Sequence, residues 1–99
     1  MAAVKLKFLL AATGLSSKQA GELLGFSAMS VRFWCMGSRT VPPGVIDTLC
    51  EYHDRMRDWA TEQTWPVPDV ETDEEAKQLG FLGVGSYRIA ASMVFFDSF

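Results

Sequence analysis

The sequence predicts an all-α chain. Apolar residues recur at three- and four-residue spacing along most of its 99 residues, N-cap signals at Ser16, Ser27 and Thr72 open several of these runs, and glycines at 14, 25, 37 and 80 close them. At 48% apolar and 21% charged, with seven Phe, three Trp and five Met, the chain holds more buriable surface than a disordered segment carries. The length suits one ordinary core with a modest appendage and excludes a large multidomain enzyme.

The first helix runs through Val4, Phe8, Ala11 and Ala12 and stops at Gly14. Ser16 and Gln19 then form a capping box, with Leu15 placed as a hydrophobic staple, and open a short second helix that turns Ala20, Leu23 and Leu24 inward and ends at Gly25. Ser27 caps a third helix, Ala28 to Met36, ended by Gly37. These two short helices, joined by Gly25-Phe26-Ser27, read as a helix-turn-helix. Neither is long enough to stand alone, so both need Leu24, Phe26, Val31 and Trp34 to close a shared core.

Pro42-Pro43 is expected to start a fourth helix, because proline costs no intrahelical donor in a first turn. Val45, Leu49, Tyr52, Met56 and Trp59 form its apolar stripe, with Ile46, Cys50 and His53 alongside and Asp47, Glu51, Asp54 and Asp58 opposite. Trp65-Pro66-Val67-Pro68 ends it, since each proline disfavours helix in the residue before. Thr72-Asp73-Glu74-Glu75 is a second capping box, and Gly80 closes the short helix it opens. Ser86 is expected to cap a last helix, Tyr87 to Ser98. There Ile89, Met93, Val94, Phe95, Phe96 and Phe99 spread over most of the circumference, which predicts either a central place in a C-terminal core or a face packed on a second copy.

Charge divides the same way. Up to Val45, Lys5, Lys7, Lys18, Arg32 and Arg39 oppose the single acid Glu22, whereas from Asp58 onward eight acids oppose only Lys77 and Arg88. A basic N-terminal part beside an acidic C-terminal part suits a polyanion-binding module carrying a segment that stays off the polyanion; uneven solvation of an ordinary surface is the plainer alternative. The expected division is residues 1–64 as a helix-turn-helix DNA-binding domain, 65–71 as a proline-containing linker and 72–99 as an acidic, aromatic helical dimerisation segment.

The stretch from Leu15-Ser16 to Gly37, above all Glu22-Leu23-Leu24-Gly25-Phe26-Ser27 with Val31 and Trp34, resembles the Cro and lambda-repressor (XRE-like) helix-turn-helix family. The small residue four before the turn glycine falls on Gly21, the turn glycine on Gly25, the buried β-branched position on Val31 and the tryptophan on Trp34. More locally, Trp34-x-x-Gly37, Val41-Pro42-Pro43-Gly44-Val45 and Thr48-Leu49 are similar to small phage and bacterial regulators that include the anti-CRISPR-associated repressors. Tyr87-Arg88-x-Ala90-Ala91 is similar to part of the dimerising extension that some of them carry. Ser17 departs from the usual phosphate-contacting Gln, and Cys35 from the usual acid after the tryptophan. The resemblance implies a lambda-repressor-like domain of four to five helices with a short helical C-terminal dimerisation extension. It also implies a transcriptional regulator, expected to repress by binding an inverted-repeat operator in double-stranded DNA as a homodimer.

The residues support that expectation independently. A helix presented across a short turn fits the major groove, where every base pair shows a distinct donor and acceptor pattern. Ala28, Met29 and Phe33 suit a thymine methyl, and Arg32 a guanine. Ser16, Ser17, Lys18, Ser27, Ser38, Arg39 and Thr40 are the expected phosphate contacts. Tyr87, Ile89, Met93, Val94, Phe95, Phe96 and Phe99 are the expected dimer interface. Each set has a plainer reading: Ser16 and Ser27 as caps alone, Arg32 paired with an acid of the fourth helix, Arg39 complementing a helix C-terminus.

Catalytic constellations are poor, so no enzyme is expected. His53 is the only histidine and sits on an apolar face, and Cys50-x-x-His53 with Cys35 lacks the paired spacing of a zinc site. No cofactor, metal or small-molecule substrate is expected. Two cysteines fifteen positions apart, with no leader-like start, favour a reducing cytoplasm, and no uncharged run approaches the roughly twenty residues of a membrane span. The rival readings are a helix-turn-helix fold used to bind or inhibit another protein, and RNA binding by the same basic face.

Overall fold

A computed structural model describes residues 2–98, and among them the secondary structure is entirely α-helical. Six helices follow one another: α1 (Ala2–Thr13), α2 (Ser17–Leu24), α3 (Ala28–Met36), α4 (Val45–Thr61), α5 (Asp73–Gln78) and α6 (Val84–Asp97). The all-α expectation holds, and most caps fall where the sequence placed them. Ser16 Oγ accepts from the Gln19 amide at 3.1 Å while Gln19 Oε1 accepts from the Ser16 amide at 3.1 Å, completing the box. Ser27 Oγ accepts from the Ser30 amide at 3.1 Å, and Thr72 Oγ1 from the Glu75 amide at 3.2 Å. Gly25 and Gly37 close α2 and α3 in the left-handed region.

α4 is the central element, with α1 and α6 packed against it, α3 against α1, and α2 against α3. Its stripe is the expected one: Val45, Leu49, Tyr52 and Met56 are buried, joined by Ala60, and Trp59 is half-buried. Two boundaries differ from expectation. α4 starts at Val45, not at the prolines, because Gly44 takes a left-handed conformation (φ 87°) that no helix interior adopts. α6 starts at Val84, three residues before the expected Tyr87, with Gly83 at its N-cap. Ser86 therefore lies inside the first turn, fully buried, and donates to the Thr13 carbonyl of α1 instead of capping its own helix.

The apolar residues that mark α1 in the sequence do not form its inward face. Val4, Phe8, Ala11 and Ala12 are exposed, Phe8 by 70%, while Leu6, Leu9, Leu10 and Thr13 turn toward the core. The helix is apolar nearly all round, so periodicity alone favours no side. Thr13 is tolerated in the interior because its hydroxyl donates to the Leu9 carbonyl at 2.7 Å.

The C-terminal third joins the same core. Ala76, Phe81, Tyr87 and Ala90 cluster with Leu6, Val31, Trp34 and Leu49, and the rings of Trp59, Phe81 and Tyr87 meet edge-on at centroid separations of 5.1–5.6 Å. Within 65–71, Val67 and Val70 pack on the core and the Tyr87 hydroxyl donates to the Pro68 carbonyl. Burial, then the Asp69 charge, holds the Tyr87 phenol above its ordinary range. Across the junction, Gln19 Nε2 donates to the Leu82 carbonyl at 3.5 Å, and Asp73 Oδ1 accepts from the Val84 amide at 2.9 Å.

Gly14 and Gly85 bring two distant backbones into close approach. A Cβ on Gly14 would lie 2.5 Å from the Gly85 carbonyl oxygen, on a residue that also needs φ +67°; at Gly25 (φ +80°) a Cβ would meet nothing within 4 Å. Gly25→Ala is therefore expected to cost about 1–2 kcal/mol, the left-handed penalty alone. Gly14→Ala adds a backbone collision and is expected to cost about 2–5 kcal/mol. Urea-unfolding midpoints of the two variants measure the difference.

Candidate functional site

The α2–α3 pair is built around a turn with no space to spare. The amides of Gly25 and Phe26 both donate to the Gly21 carbonyl, at 2.8 and 2.9 Å, and a side chain at Gly21 would collide with the Phe26 carbonyl oxygen. Val31 and Trp34 are buried, so α3 shows its other side to solvent. Phe26, expected inside, is instead 43% exposed and rests edge-on against Trp34, 4.8 Å between centroids.

Of the expected base-reading residues, Arg32 is exposed, Met29 is 56% exposed, and Ala28 and Phe33 are half-buried. Phe33 is covered from an unexpected direction: the Arg39 guanidinium lies 4.6 Å from its ring centroid, a cation–π contact linking the face of α3 to the loop after it. Met36, 65% exposed, continues the face at the 29–32–33–36 spacing. Met36 is not among the expected base-reading residues, although its position seven residues after Met29 places it on that same stripe.

Among the described residues no carboxylate pairs with Arg32, so the expected alternative of an ion pair with α4 is not formed. Lys18, Ser38, Arg39 and Thr40 are exposed around the same pair of helices, with Ser17 half-buried in the first turn of α2. The hydroxyls of Ser16 and Ser27 serve as caps, and that of Ser27 also donates to Ser30 Oγ at 3.0 Å. What gathers here is an outward helix face with one guanidinium between thioether and aromatic groups, flanked by cations and hydroxyls.

The expected dimer residues separate into two groups. Tyr87 and Val94 are buried within their own chain; Ile89, Met93 and Phe95 are half-buried and Phe96 is 70% exposed. Phe99 lies outside the described residues. Met93 and Phe96 border a groove between α4 and α6 that Arg57 and Asp97 also line.

His53 is half-buried on α4, and no group of three or more His, Cys, Asp or Glu side chains is placed to hold a metal among the described residues. No helix of the described residues is long and apolar enough to cross a membrane. No family model, curated protein or solved structure matches this chain.

Cys35 and Cys50 are both free thiols in different surroundings. Burial pushes the Cys35 thiol up, with the Lys7 ammonium of α1 drawing it partly back, while Cys50 is exposed on α4. The thiolate is the nucleophile, so the half-buried Cys35, whose thiol is held up by burial, needs a higher pH to react. Iodoacetamide at pH 8, followed by intact-mass and peptide analysis, is expected to alkylate Cys50 well before Cys35.

Proposed function

We propose that the chain is a sequence-specific DNA-binding transcriptional regulator of the cytoplasm, with α2 and α3 acting as a lambda-repressor-like helix-turn-helix. It acts as a repressor on an inverted-repeat operator and has no catalytic role. The observation that carries this reading is the solvent face of α3, where Arg32, without a carboxylate partner among the described residues, stands between Met29, Phe33 and Met36. A guanidinium on such a helix binds the O6 and N7 acceptors of guanine bidentately, and the flanking apolar groups suit thymine methyls. Lys18, Ser38, Arg39 and Thr40 then supply phosphate contacts, with the amides at the start of α2.

One module of this size makes few phosphate contacts, so a second copy is part of the proposal. A two-fold dimer sets its two α3 helices about 34 Å apart, one turn of DNA. The part of the expected interface still accessible is the Met93–Phe96 side of α6. There Arg57 and Asp97 line one groove, so that a two-fold axis would bring the cation of one copy toward the anion of the other. The acids that crowd the sequence after Asp58 keep this end away from phosphate.

The exposed methionines of α3 also favour a second reading, in which the same face grips another protein. Salt separates the two. Binding to duplex DNA is expected to weaken log-linearly with salt concentration, and a salt-independent affinity would point to a protein partner. Arg32→Ala is expected to cost about 1–3 kcal/mol and to relax the preference at one operator position, whereas Arg39→Ala should weaken all sequences alike and lower the salt slope by about one. Both variants should keep the wild-type thermal midpoint. Fluorescence anisotropy on operator and random duplexes measures these effects.

Phe96→Asp tests the dimer by analytical ultracentrifugation. A folded monomer with weakened operator binding is the expected result, and a dimer that survives the change would exclude this face of α6.

A further inference from the structure

On another side of α4 lies a cavity of about 330 Å³, between the helix, Leu23 of α2 and the turn that joins α5 to α6. Neither the charge pattern nor the helix periodicity draws attention to it, because its lining comes from three separated stretches of chain. Its size lies at the lower end of small-molecule sites, which run from about 300 to 1,000 Å³. Here the walls are held apart: the Leu82 amide donates to Tyr52 Oη at 3.0 Å, fixing the turn at one edge, and Trp59 and Phe81 are locked edge-on against each other and Tyr87. Gly80, one of the lining residues, carries the turn through φ +95°, where a side chain is strained.

The chemistry of the lining defines an occupant. Tyr52, Trp59 and Phe81 offer ring faces and edges, Leu23, Met56 and Leu82 aliphatic contact, and one group alone is charged. That group is Arg55, whose guanidinium lies 5.7 Å from the Tyr52 ring centroid. Among the described residues it has no carboxylate partner, and the neighbouring acids Glu51, Asp54 and Asp58 are exposed on α4 outside the lining. An apolar chamber with a single unpaired guanidinium at its edge matches a flat ring bearing one negative charge on a short arm. We propose that this cavity is a binding site for a small aromatic carboxylate, its ring against Trp59 and Phe81 and its carboxylate on Arg55.

The test is an amide and indole NMR titration of the full chain with three probes: phenylacetate, its neutral analogue 2-phenylethanol, and acetate. Phenylacetate is expected to shift the Gly80 and Leu82 amides and the Trp59 indole saturably, leaving the Trp34 and Trp65 indoles in place. 2-Phenylethanol should shift the same signals at higher concentration, and acetate should not. Arg55→Gln, at an exposed position where the fold is not at stake, is expected to raise the phenylacetate dissociation constant about fivefold and leave that of 2-phenylethanol unchanged. Three results would overturn the proposal: no saturable shift with either aromatic probe, acetate acting on the same signals as strongly as phenylacetate, or Arg55→Gln weakening both aromatic probes equally.

Discussion

Two backbones meet at Gly14 and Gly85 with no side chain between them, and the rest of the arrangement follows from that contact. It lets the end of α1 approach the start of α6 closely enough for the buried Ser86 hydroxyl to reach the Thr13 carbonyl. That carbonyl belongs to the last turn of α1, which has no intrahelical donor to receive, so a hydroxyl from a distant part of the chain satisfies it. α1 and α6, joined at this point, both pack against α4, and the first and last helices contribute to one core. The Tyr87 and Ala90 side chains enter that core because the first turn of α6 is already held.

A second set of ties spreads from the same junction. Gln19 completes the capping box of α2 and also reaches the Leu82 carbonyl, so one side chain both starts a helix and joins it to the turn before α6. Asp73 belongs to the acidic first turn of α5, yet its carboxylate accepts the Val84 amide at the start of α6. Groups that look local in the sequence thus hold distant elements together. They keep α2 and the turn around Gly80 in a defined relation, which holds the walls of the cavity beside Tyr52.

Much of the candidate site is legible from residue order. Val31 and Trp34 must lie inward once α3 is short and capped, which leaves Met29 and Arg32 outward whatever the remainder does, and Met36 follows by the same spacing. The position of Phe33 is not legible in that way. Its partner Arg39 lies beyond Gly37, and only the course of the chain after the helix brings the guanidinium over the ring. The Lys7 charge acts on the Cys35 thiol for the same kind of reason, since α1 packs against α3 across a stretch no local pattern specifies.

The order of residues by itself determined the helical class, the caps at Ser16, Ser27 and Thr72, the terminators at Gly25 and Gly37, and the inward stripe of α4. Each of these rests on interactions within about four residues, or on a φ angle that one residue type adopts readily. Tertiary structure decided which side of α1 is buried, that Ser86 bonds to α1 instead of capping α6, that Tyr87 and Val94 are enclosed within the chain, and that a cavity opens beside Arg55. α1 and α6 are apolar around most of their circumference, so the energy of burying either face is nearly the same. The choice between faces falls to the one place where two glycines permit the backbones to touch.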